Sequence, residues 1–191
     1  MTAKAEIREQ RVNGVSVVAL FDAANSLSKT ESLGRYQFRA RNQWLDGGHT
    51  RTMVKDYFGA GAEQTSRTTP LVVESDIPTH FRGGDRAMDP LEHFLAAIGA
   101  CITTTVVWHA AARGIHVNAI DTWLEGDIDL QGWFGMDRDR QAGYNEIRVS
   151  IQLDAEAPEA ALDQLVDLAT RYSPLFETVT RGTRLDVRRE K

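Results

Sequence analysis

The chain has 191 residues, 42% apolar and 26% charged, which suits one folded domain with or without an extension and excludes a disordered segment. Its 22 Lys and Arg against 27 Asp and Glu give a net charge of -5 with the basic residues scattered, so no nucleic-acid partner is expected. Cys101 is the one cysteine, and no CxxC or histidine cluster stands at a metal-ligand spacing, so a disulfide framework, a metal and an organic cofactor are all excluded as expectations.

The first residues, Met1 to Glu9, mix both charge signs and lack an apolar segment, so a cytoplasmic address without a secretory signal is expected. From Asn13 to Ser28 the residues Val15, Val18, Leu20, Phe21, Ala24 and Leu27 recur at helical intervals and predict an amphipathic helix. Tyr36 to Trp44 predicts a strand, with Phe38, Ala40 and Trp44 on one face and Arg39, Arg41 and Gln43 on the other. Asp46-Gly47-Gly48 is a turn, Arg51 to Phe58 the returning strand, residues 59–69 a loop or hairpin tip, and Pro70 to Glu74 a third strand.

Arg82-Gly83-Gly84-Asp85 is a second loop and leads into Asp89-Pro90-Leu91-Glu92. Asp at the N-cap, Pro at the first helical position and Glu at the third open a helix that should run to about Arg113, with Gly114 as its stop. That helix is apolar on nearly every side, with Glu92, His93 and His109 the exceptions, and so is expected to be enclosed by other elements. Its longest uncharged run, Phe94 to Trp108, contains three threonines and falls short of the roughly 20 apolar residues that span a bilayer. No membrane partner is expected.

Ile120 to Leu130 and Ile147 to Leu153 alternate apolar and polar residues and predict two half-buried antiparallel strands. The connection between them displays Trp133 and Phe134 among glycines. Pro158 to Tyr172 is an amphipathic helix, Ser173-Pro174 starts a short one, and Leu185 and Val187 suggest a closing strand. The order of elements is α+β, with antiparallel sheet around helices.

Cys101 raises the question of chemistry. Free cysteine usually packs as a small hydrophobe, and a mid-helix position gets no help from a helix N-terminus, so activating the thiol requires a cation from elsewhere. Arg39, Arg41, Arg51, Arg82 and Arg86 all precede the central helix on strands or loops, and spacing does not choose among them.

Gly83-Gly84 followed by Asp89-Pro90-Leu91-Glu92-His93-Phe94-Leu95-Ala96-Ala97-Ile98-Gly99-Ala100-Cys101 resembles the signature of the OsmC/Ohr family, the osmotically inducible and organic hydroperoxide resistance proteins. The resemblance covers about residues 36–190, leaving residues 1–35 as an N-terminal helical extension before an OsmC-like domain at 36–191. It implies the OsmC-like fold, antiparallel sheets around a central buried helix, in an intertwined homodimer with active sites at the interface. In the family's peroxidases a cysteine attacks the hydroperoxide. An arginine from the first hairpin stabilises its thiolate, and a glutamate directly after the helix-start proline holds that arginine. A second cysteine, in a Cys-Pro motif, forms a disulfide that an external dithiol reduces.

Carried over by residue, Cys101 matches the attacking cysteine and Arg51 matches the arginine best, with Arg41 as fallback. Leu91 stands directly after Pro90, and Glu92, the candidate carboxylate, comes one residue later, a turn of about 100° on a helix. Ser173-Pro174 stands where the resolving Cys-Pro is expected, so Ser173 marks that position without its thiol. Each has a plainer reading: Glu92 as a capping residue, Ser173 as an N-cap, Arg51 as a solvated charge, Trp133 and Phe134 as packing residues. Two functions remain open at this point. One is a single-cysteine peroxidase for organic hydroperoxides that uses an external thiol or dithiol. The other is a non-catalytic dimer that binds a small apolar ligand in its interfacial cleft.

Overall fold

The computed structural model describes residues 11–190. Among them the chain forms two compact units, residues 16–94 and residues 11–15 with 95–190.

The first unit begins with helix α1 (Val17–Lys29), whose start is fixed by Ser16, its side chain accepting from the Ala19 backbone N–H. Three strands follow in one antiparallel sheet, β3 (Arg41–Asp46), β4 (His49–Val54) and β7 (Leu71–Ser75), in the order β3-β4-β7. A separate hairpin, β5 (Tyr57–Gly59) with β6 (Ala62–Gln64), fills the expected loop and takes the end of the expected returning strand. The expected Tyr36–Trp44 strand is shorter than its alternation suggests. Before Arg41 only Gln37 pairs, in a two-bond bridge with Phe58. Phe38 and Trp44, expected to face a core, are instead 74% and 70% exposed. Phe38 lies against Tyr36 and Tyr57, and the Trp44 indole N–H donates to the Gly47 carbonyl.

The second unit carries the core. Its first residues form a hairpin, β1 (Arg11–Val12) and β2 (Val15–Ser16), joined by Asn13-Gly14 with both φ angles positive. Paired positive φ is the geometry that Asn-Gly supplies best. The expected helix from Asn13 therefore starts four residues later. The Asn13 side chain donates to the Ile115 carbonyl and accepts from the Val117 N–H, both at 2.9 Å.

Helix α2 (Pro90–Ala112) runs from the first unit into the second. Its start is the predicted capping box: Asp89 Oδ1 accepts from the Leu91 N–H at 2.7 Å, and Glu92 Oε2 accepts from the Asp89 N–H at 2.8 Å. It stops at Gly114, φ 70°, where the Ile115 N–H reaches back to the Ala110 carbonyl. Ile98, Ile102, Val106 and Ala110 are buried against the long antiparallel pair β8 (Val117–Ile128) and β9 (Tyr144–Ala155). Gly99 permits this approach, since a Cβ there would stand 2.7 Å from Leu124 Cδ1. Helix α3 (Leu130–Trp133) lies in the β8–β9 connection, and α4 (Glu159–Tyr172) adds Leu165 and Ala169 to the core.

Helix α5 (Pro174–Arg181) follows directly. Beyond it the expected closing strand is absent, and Leu185 and Val187 are exposed in irregular chain. No strand among the described residues pairs with them. By length and composition alone α2 is also the one helix among the described residues able to cross a membrane, although a soluble core helix passes the same test. Phe94 and Trp108 remain substantially exposed on it.

Candidate functional site

Cys101 sits in the middle of α2, half-buried, one turn ahead of Thr104 and Thr105. Ser173 meets it from the junction of α4 and α5. The Ser173 hydroxyl donates to Cys101 Sγ at 3.3 Å and accepts from the Phe176 N–H at 3.3 Å. Its backbone N–H closes α4 on the Ala169 carbonyl, and the residue is 0% exposed. Ser173 is thus both the predicted N-cap and the neighbour of the sulfur.

The helical repeat places Cys101, Thr104, Thr105 and Trp108 on one face of α2. Along that face lies an open hollow of about 290 Å³ lined by Thr104, Thr105, Trp108 and His109. His109 packs on Tyr172, and burial followed by the charge of Arg113 pushes its pKa below the usual histidine value.

The predicted arginine belongs to the first unit. Arg51 on β4 stands in register with Glu74 on β7, and its Nε and Nη2 both donate to Glu74 Oε1, at 2.8 and 2.6 Å. His49 Nε2 lies 2.9 Å from the other oxygen. Hydrogen bonding by Arg51, then by His49, holds the Glu74 pKa below the usual carboxylate range. His93 approaches the same residue through its backbone, with Nε2 2.9 Å from the Glu74 carbonyl. Glu92 serves the helix cap, and the carboxylate on Arg51 is that of Glu74.

Sequence reasoning passed over Glu74 because its nearness to Arg51 depends on the β4–β7 register, across an intervening hairpin. The period-2 alternation of both strands was a usable signal, but only once their pairing is known.

The other arginines divide by partner. Arg39 pairs with Glu63, and Arg41 opens β3 opposite Met53. Arg82 occupies a left-handed turn, φ 66°. Arg86 is bound to Asp76, which is completely buried: its Oδ2 accepts from Arg86 Nε at 2.7 Å and from the Arg86 N–H, and its Oδ1 accepts from the Ile77 N–H.

This pair accounts for the Gly83-Gly84 motif. A Cβ on Gly84 would lie 2.7 Å from both Arg86 Nε and Asp76 Oδ2, and one on Gly83 would overlap the Ile77 carbonyl. Trp133 and Phe134 pack on each other, ring centroids 4.7 Å apart, and remain exposed, in a connection pinned by the Arg140–Asp129 ion pair.

An antiparallel α+β chain whose glycine loop and capped helix lead to a cysteine defines a recognisable class. The family model described as OsmC-like protein matches residues 83–188, and this chain belongs to that family. Among solved structures, an OsmC-like protein from Mycoplasma pneumoniae is 15% identical with a TM-score of 0.57, over 76% of this chain and 89% of its own. An OsmC-like protein of unknown function from Vibrio cholerae is 12% identical, TM-score 0.54, covering 74% and 92%. A hypothetical protein from Aquifex aeolicus is 18% identical, TM-score 0.52, covering 77% and 89%. At these identities the likeness shows the fold alone. No curated protein matches the chain.

Proposed function

We propose that this protein is a thiol-dependent peroxidase that reduces organic hydroperoxides through Cys101 alone. The observation that carries the reading is the contact between Cys101 Sγ and the buried Ser173 hydroxyl. A donor aimed at sulfur suits an atom that bears negative charge when it attacks. The Cys101 thiolate attacks the terminal peroxide oxygen: the S–O bond forms, the O–O bond breaks, and the alkoxide leaves and takes up a proton as the alcohol. Sulfur is oxidised by two electrons to sulfenic acid.

Ser173 has no thiol to condense with that acid, and the chain has no other cysteine. An external thiol therefore supplies the next step, giving a mixed disulfide and water, and a second thiol releases Cys101 as the thiol. The hollow beside Thr104 and Trp108, on the helix face that carries Cys101, has the size and apolar wall to take the organic part of a hydroperoxide. Arg51 matches the family's hairpin arginine, and Glu74 holds it through Nε and Nη2. The working form is a homodimer, a reading supported by the family resemblance and by the exposure of Trp108 on α2.

Steady-state consumption of cumene hydroperoxide with dithiothreitol as reductant tests this. Activity is expected in the wild type and absent in Cys101→Ser. Equal rates in the two proteins would remove the proposal.

A further inference from the structure

We infer that Asn13 is a deamidation site gated by its own contacts: its carboxamide clasps the corner between α2 and β8, the clasp protects it, and conversion to aspartate or isoaspartate opens the clasp for good. The inference is independent of the chemistry proposed for Cys101. All of its parts lie in the second unit, which holds residues 11–15 together with the end of α2 and the whole of β8.

Asn13 Nδ2 donates to the Ile115 carbonyl and Asn13 Oδ1 accepts from the Val117 N–H, both at 2.9 Å. Those two backbone groups, two residues apart on the chain entering β8, are the pair that one residue of a neighbouring parallel strand would take. A carboxamide carries the same acceptor and donor as a peptide group and fills that place. Val12 beside it is buried.

Asn13-Gly14 is also the one Asn-Gly in the chain. Asparagine is thermolabile, and a following glycine puts no Cβ in the way of ring closure. The Gly14 backbone nitrogen attacks Asn13 Cγ: that C–N bond forms, the bond to Nδ2 breaks, and the proton from Gly14 leaves with Nδ2 as ammonia. Water then opens the succinimide to aspartate or isoaspartate, with no change of oxidation state. Closure requires Cγ to swing onto the Gly14 nitrogen, and the bonds to Ile115 and Val117 oppose that swing.

The product does not close the clasp again. Aspartate keeps an acceptor for the Val117 N–H, but it has no N–H for the Ile115 carbonyl and sets a charged oxygen against it. Isoaspartate also adds a methylene to the turn that Asn13 and Gly14 form with positive φ angles.

The test compares the folded full-length protein with a peptide of residues 11–16 at neutral pH, by peptide mapping of the amide-to-acid mass gain at Asn13. Deamidation is expected to be slower in the folded protein by on the order of tenfold or more. Native-state hydrogen exchange of Asn13→Asp, which imitates one product, reads the clasp itself. The Val117 amide should exchange on the order of tenfold faster than in the wild type. Asn25→Asp, the same change on the exposed helix α1, should leave it unchanged. Equal deamidation rates in peptide and folded protein would overturn the gating. Wild-type exchange at Val117 in Asn13→Asp would overturn the clasp, as would an equal acceleration at the core residue Val106, which marks global unfolding instead of local release.

Discussion

At the scale of single residues, Ser173 decides what the one sulfur can do. Its hydroxyl lies where a second sulfur would be within bonding reach of Cys101 after a small rotation. Ser173→Cys should therefore form an intramolecular disulfide with Cys101 when treated with hydroperoxide, seen as loss of both free thiols in the intact mass. Retention of two free thiols would show that the two positions do not approach as described.

Asp76 offers a separate residue-scale prediction. Hydrogen bonding by Arg86 leads the effects that lower its pKa from 3.8 to about 2. Because the folded state binds the proton less readily than the unfolded state, this group stabilises the protein above about pH 4 and loses that contribution as pH falls toward 2. Urea midpoints measured across that window should fall steeply in the wild type and less steeply in Asp76→Asn. Parallel curves would contradict the linkage.

At the scale of elements, what was legible followed local chemistry, and what was not depended on pairing. The α2 start was readable because Asp89, Pro90 and Glu92 act within one turn, and its stop because Gly114 takes a positive φ. The β8–β9 pair was readable from its alternation. Asn13-Gly14 was a hairpin signal in the sequence, but the apolar spacing after it matched a helix and absorbed it. Leu185 and Val187 alternate as strand residues do and lack a partner strand, so pattern alone misled. Glu74 was invisible for the converse reason, since its partner comes from another strand.

The glycine loop shows why a motif can be structural. Gly83→Ala would drive a Cβ into the Ile77 carbonyl, where backbone has to move, and is expected to destabilise the protein by about 3 kcal/mol, a shift chemical denaturation resolves. A change under about 0.5 kcal/mol would mean that the loop is free to adjust.

At the scale of the whole molecule, one fold carries many functions. Family membership and the shared architecture rest on residues 83–188 and on likeness across three quarters of the chain. The chemistry turns on single positions: leucine follows the helix-start proline, and Ser173 stands where the resemblance expects a second cysteine. The apolar side chains exposed on α2 should be covered in the assembled protein. Light scattering coupled to gel filtration is expected to give the mass of two chains at micromolar concentration, and a monomer mass would contradict the dimer.

The most direct test of the account is the intact mass of the protein after one equivalent of cumene hydroperoxide, with and without a sulfenic-acid trap such as dimedone. A single trapped adduct that localises to Cys101 and is absent from Cys101→Ser is the expected result. An unmodified Cys101 under the same conditions would contradict the peroxidase reading and leave a family member whose one cysteine is a packing residue.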